Sequence, residues 1–173
     1  MAQLAITYLL LNRRNYGNLT EAESQGQAEL WSARALDLAP GLAEAQAAVG
    51  FAAWRAGRAA TAEQHFQRAL DINPSYAIVW HWLAMLQYRN LGKHEEALAS
   101  SRRSRALDPV SIPSFTIYIQ MLISRGRFDE VRAELAKLEP VSPVSYHRMR
   151  GELEAIGGQW HYLALANLDA LMI

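Results

Sequence analysis

Histidines and a short run of arginines are the side chains with most scope for chemistry here, and their spacing argues against it. His65, His81, His147 and His161 are scattered, with no second ligand at the spacing that would place a pair on one helical face. His94-Glu95-Glu96 stands at the predicted start of a helix, where acidic residues suit the positive end of the dipole, so it reads as capping. Arg102, Arg103 and Arg105 could contact a phosphate or an acidic peptide. Interleaved with small Ser101 and Ser104, they read instead as the solvated outer face of a helix. Glycine-rich phosphate loops, a Gly-x-Ser-x-Gly elbow and a His-Glu-x-x-His pair are all missing from the sequence. The chain has no cysteine, which removes disulfides and thiolate metal sites. These residues predict no catalytic site, no metal and no cofactor: a protein that is not an enzyme.

Composition points the same way. The 173 residues are 51% apolar and 20% charged, with 17 basic against 17 acidic side chains, so the chain should fold without an electrostatic footprint for nucleic acid or anionic lipid. The apolar run Leu4 to Leu11 is too short to span a membrane and lacks the basic residues that precede a signal-peptide core. The cytoplasm is the expected compartment, and an exported protein is also compatible with a cysteine-free chain.

What must position any functional side chain is a repeating scaffold. Pro40, Pro74, Pro109 and Pro143 fall 34, 35 and 34 residues apart, and each closes a stretch that reads as two amphipathic helices. In the stretch from Ala43 to Tyr76, Gly50 sits where the first helix needs a small residue for close approach. Ala62, Phe66 and Ala69 follow on one face of the second helix, and Pro74 stops it. The next stretch carries Trp80, Leu83 and Ala97, with one extra residue in its inner turn near Asn90. Arg-Ala-Leu-Asp recurs at Arg34, Arg68 and Arg105, but counting back from the prolines puts the third copy two residues out of register. The packing positions there become Ser101 and Ser104. Phe115, Gly126, Val131, Leu135 and Leu138 continue the pattern to Pro143. Upstream, Ala28 and Ala35 fit a first copy whose second helix opens on a Thr20–Glu23 capping box.

This pattern resembles the tetratricopeptide repeat family. The resemblance implies an all-α, right-handed solenoid of about five antiparallel helix pairs. The repeats would span residues 3–42, 43–76, 77–111 and 112–145, with a degenerate pair over 146–173. Each unit buries its apolar face only against neighbours, which implies a binding surface rather than a catalytic cleft. The family lines its inner wall with the first (A) helix of each repeat. The matching positions are Glu44, Ala47, Phe51, Trp54 and Arg55, then Ile78, His81, Met85, Tyr88 and Arg89, then Thr116, Gln120 and Ile123. Aromatic, Met and Arg side chains are types enriched in binding hot spots, so a protein or peptide partner is implied. Chaperone-binding members grip a terminal carboxylate with basic residues and asparagines. The matching positions here, Ala47, Phe51, Trp82, Pro113 and Ile117, carry no such side chain.

The run Tyr8 to Arg14, then Leu19-Thr20-Glu21-Ala22 and Ala35-Leu36-Asp37 before Pro40, is similar to a bacterial subgroup. In it the repeats form the sensory half of winged-helix transcription activators or class III adenylate cyclases. That implies a regulatory segment of a larger protein; a free-standing adaptor is the other binding role, and a small-ligand sensor a third reading. The first helix is apolar nearly all round, as is the last segment from Tyr162 to Ile173. Uncapped solenoid ends of this kind predict either a piece cut from a longer solenoid or self-association through one end.

Overall fold

The computed structural model describes residues 1–2, 20–140, 143–144, 146–147 and 150. The expected first helix, the last helix pair and most of their apolar stripes lie outside these residues. The described residues form seven helices and no strand: α1 (Glu21–Leu38), α2 (Ala43–Arg55), α3 (Ala59–Ile72), α4 (Ala77–Arg89), α5 (His94–Leu107), α6 (Ile112–Ile123) and α7 (Phe128–Leu138). They divide into two compact units, Met1–Pro109 and Val110–Ile173.

In the first unit, local chemistry sets the helix ends. Thr20 accepts a hydrogen bond from the Glu23 amide, and the Glu23 carboxylate accepts one from the Thr20 amide at 2.7 Å, closing the capping box that opens α1. That hydrogen bonding holds the Glu23 carboxyl below its ordinary range. At the other ends, α1, α3 and α5 stop two residues short of Pro40, Pro74 and Pro109. The residue before each proline leaves helical geometry: Ala39, Asn73 and Asp108 have ψ of 70°, 88° and 82°. Gly57, Gly92 and Gly126 take positive φ in the turns inside the pairs, where an L side chain would be strained. The α4–α5 turn, Asn90 to Lys93, is one residue longer than the α2–α3 turn, Ala56 to Arg58, which accounts for the 35-residue interval.

Helix pairs α2–α3 and α4–α5 stack successively, with α1 on α2. Their seam is set by side-chain size. A Cβ added to Gly50 would sit 2.8 Å from the Phe66 ring and 3.2 Å from the Ala62 carbonyl oxygen, so only glycine lets α3 approach this closely. Ala62, Phe66 and Ala69 are fully buried on the face predicted for them. One repeat on, Ala84 stands at the Gly50 position and Ser101 at the Phe66 position, both fully buried. The register from the prolines therefore holds, including Ser104, whose hydroxyl donates to the Ala77 carbonyl at 2.9 Å. Replacing Ala62 with Leu is expected to overpack this seam and cost about 1–3 kcal/mol. An unchanged melting temperature would show that α3 does not meet α2 as described.

The second unit pairs α6 with α7. Ser111 caps α6, with Pro113 in its first turn; Phe115, Val131 and Leu138 are buried, and Leu135 is half-buried. The expected role of Pro143 is corrected here. Helix α7 ends at Leu138, Glu139 keeps helical geometry, and Pro143 is itself helical. Proline is tolerated at a helix start, where its missing amide hydrogen costs nothing, so Pro143 lies in a following turn of helix and does not close α7.

Candidate partner-binding surface

The candidate wall in the first unit is carried by α2 and α4, the A helices. Its foundation is an aromatic cluster. Phe51 lies 4.6 Å, ring centre to ring centre, from Trp82 and meets Trp54 edge-on at 5.9 Å. Phe66 supports both tryptophans, at 6.4 Å from Trp54 and 6.0 Å from Trp82. Trp54 is half-buried, and its indole Nε1 donates to Asn90 Oδ1 at 2.9 Å, tying the end of α2 to the end of α4. Trp80 makes a comparable tie, donating to the Pro74 carbonyl at 2.9 Å.

Most of the expected wall residues reach solvent. Glu44, Arg55, Ile78 and Arg89 are exposed, while Trp54, Met85 and Tyr88 are half-buried. Arg55 pairs with Glu21 across 3.3 Å, and Tyr88 packs edge-on to His94. Glu44 lies near the half-buried Tyr76 phenol, whose pKa is pushed up by burial and by that carboxylate. Two expectations are corrected. Phe51 and His81 are each only 6% exposed, so neither presents itself to a partner. Phe51 is drawn inward because small Ala47 and the Trp82 ring leave it an apolar slot. His81 is held neutral: burial, and then the Arg89 charge, push its pKa down to about 4, and its Nδ1 has no hydrogen-bond partner. In the second unit, α6 carries Thr116, Gln120 and Ile123, all half-buried, with the Thr116 hydroxyl donating to the Ile112 carbonyl.

Sequence reasoning missed the polar ties beneath this surface. Ser100 donates to Gln87 Oε1 at 2.8 Å, and Lys93 pairs with Glu63 at 2.7 Å. Gln87 Nε2 reaches Glu63 at 3.5 Å, so the chain of contacts joins α3, α4 and α5. His65 shares a hydrogen bond with Gln46 Oε1 at 2.8 Å, and Gln46 donates to the Pro40 carbonyl. These partners lie on different helices, and single-helix periodicity carries no signal for them. Among the described residues there is no group of three side chains placed to hold a metal, and no helix long and apolar enough to cross a membrane. Arg102 and Arg103 are exposed and flanked by buried Ser101 and Ser104, as expected of an outer face, whereas Arg105 is half-buried and donates to the Pro109 carbonyl at 3.0 Å.

No curated protein matches the sequence. A tetratricopeptide repeat family model matches residues 65–99, which run from within α3 through α4 into the start of α5. Two structures of MamA are similar. One has a TM-score of 0.58 at 19% identity over 79% of this chain and 72% of that one; the other has 0.55 at 18% over 86% and 79%. The Arabidopsis OM64 TPR domain aligns at 0.53 and 17% identity, covering 64% of this chain and 95% of its own. The first TPR of Spaghetti (RPAP3), bound to the HSP90 peptide SRMEEVD, aligns at 0.55 and 14%, covering 67% and 96%. One stretch of the chain is thus similar to the tetratricopeptide repeat family, and the chain shares the helical-repeat fold of these structures.

Proposed function

We propose that this chain is a protein-interaction module whose repeats form one solenoid, and that the α2–α4 wall docks an extended or helical segment of a partner protein. The observation that carries this reading is the row of solvent-reaching Trp54, Ile78, Met85, Tyr88 and Arg89 on two successive A helices. The aromatic and Met surfaces supply apolar contact, and Arg89 can meet a backbone carbonyl or an acidic side chain. A structure of the same fold was solved with a peptide bound, which supports the reading. The positions that would grip a terminal carboxylate are here Ala47, Phe51, Trp82 and Ile117, all buried and apolar, and exposed Pro113. The partner segment is therefore recognised along its length rather than by its last residue. Affinity for one segment is set at the micromolar level, about −8 kcal/mol. The wider role is regulatory, within a bacterial signalling or transcription-regulator protein, a reading supported by the sequence around the first repeat; an upstream effector domain in the reading frame separates it from a free-standing adaptor.

The test is capture of the native partner by Trp54→Ala, Tyr88→Ala, Arg89→Ala and Arg103→Ala variants, each checked for helicity by circular dichroism. Trp54→Ala also removes core packing, so the exposed Arg89 separates lost contact from lost stability. Recovery should fall in the first three and stay at the wild-type level in Arg103→Ala. Equal recovery from all four moves the binding surface away from this wall.

A further inference from the structure

The wall carried by α2 and α4 is electrically uneven, and specific contacts show where its charges stand. The Trp54–Asn90 hydrogen bond of 2.9 Å brings the C-terminal ends of the two helices together. Arg55 and Arg89 each adjoin one of those partners in sequence, so they occupy the same rim, and both are exposed. Arg55 holds the Glu21 carboxylate at 3.3 Å, with the glutamate side chain 84% exposed. Arg89, its counterpart one repeat on, makes no ion pair or hydrogen bond among the described residues. A last-turn cation suits the helix dipole, but that leaves the planar donor fork of Arg89 unfilled. The Arg89 charge is felt by buried His81, two turns back on the same stripe, with half-buried Met85 between them. Exposed Ile78 continues this apolar stripe towards the start of α4. Near that end the sign reverses, for exposed Glu44 lies by Tyr76.

On the reading that this wall docks a partner segment, we infer that the segment is acidic and apolar. An aspartate or glutamate side chain pairs with Arg89 at the rim, and a large apolar side chain of the same segment lies on Met85 and Ile78. Glu21 shows what this rim accepts: a carboxylate from outside the two helices, held by one guanidinium. A charge-assisted pair to a free guanidinium fork is the strong form of such a contact. The remaining charges narrow the occupant. Glu21 and Glu44 repel a polyanion, which disfavours nucleic acid and anionic membranes and favours a peptide with one or two carboxylates among apolar residues. The same polarity fixes its direction, with the acidic end at the arginine rim and a neutral or basic end at Glu44. The helical rise from Glu44 to Arg55 is about 16 Å, which an extended segment covers in about five residues.

Random dodecapeptides displayed on phage and selected on the full chain supply the probe. The best binder, synthesised with a fluorescent label, is titrated by anisotropy. Selected peptides should carry Asp or Glu near a large apolar residue. The binder should lose about tenfold or more in affinity against Arg89→Glu, and regain it when its own acidic residue is replaced by Lys. Ile78→Ser should weaken it as well. Both positions are exposed, and unchanged circular dichroism confirms folding. A binder that needs Ile78 but not Arg89, or that tolerates the amide in place of its acid, overturns the inference and leaves the docking wall standing. A binder indifferent to both positions, or no binder at all, overturns the wall and the inference together.

Discussion

Phe66→Ala is expected to cost about 3–5 kcal/mol of folding stability, in line with truncation of a fully buried ring. Phe66 has no exposed surface, and its ring fills the space left open by Gly50 while bracing Trp54 and Trp82. Partial collapse around the cavity is hindered, because neighbouring Ala62 and Ala69 are too short to move in. Urea unfolding followed by helical circular dichroism should show a lower midpoint at unchanged slope. A loss below about 1 kcal/mol would mean that the ring does not sit in the seam. The partner-facing wall should loosen too, since Phe66 is the floor under Trp54.

The second large effect is a loss of stability on acidification centred on His81. Its pKa in the folded chain is lowered from 6.5 to about 4, mainly by burial. The sign follows from proton binding. Above pH 6.5 the ring is neutral in both states and the folded chain keeps its full stability. As pH falls from 6.5 towards 4, the unfolded chain takes up the proton first, and stability falls. The shift corresponds to a loss of about 3 kcal/mol by pH 4. His65, also lowered by burial and by the Arg68 charge, adds a smaller change of the same sign. Carboxylates titrate in part of this window, so the measurement is the difference between wild type and His81→Leu. The wild type should lose more stability than the variant between pH 7 and 4.5; parallel curves would show that His81 is not buried neutral.

The scaffold was legible because it is written in short-range signals. Pro40, Pro74 and Pro109, Ala62 and Ala69 flanking Phe66, and the Thr20–Glu23 box each act within one helix or at one terminus, and the structure places them as expected. Pro143 misled because a proline can open a helix as well as close one, and spacing alone does not distinguish the two. The wall was harder to read. An aromatic residue on an A helix can face a groove or the core, and Phe51 went to the core because Trp82 gave it a partner from the next repeat. His81 went inward with it. Trp54 does both, with one edge packed and its indole nitrogen bonded to Asn90. Such outcomes depend on residues some 30 positions apart, where the repeat pattern fixes only the backbone.

The seam positions also constrain how such a chain can be lengthened or shuffled by recombination. Gly50 meets the Phe66 ring across the seam, and the matching positions one repeat on carry buried Ala84 and Ser101: a missing methyl group with a large ring in one pair, a methyl group with a hydroxymethyl group in the next. A crossover that joined α4 to α3 would drive the Ala84 methyl group into the Phe66 ring, and one that joined α2 to α5 would leave a void beside Gly50. A crossover in the Pro-terminated turns between pairs carries both members of each match together. The heritable module is thus the intact hairpin, and a breakpoint inside the Ala56–Arg58 or Asn90–Lys93 turn would separate partners that fit only each other.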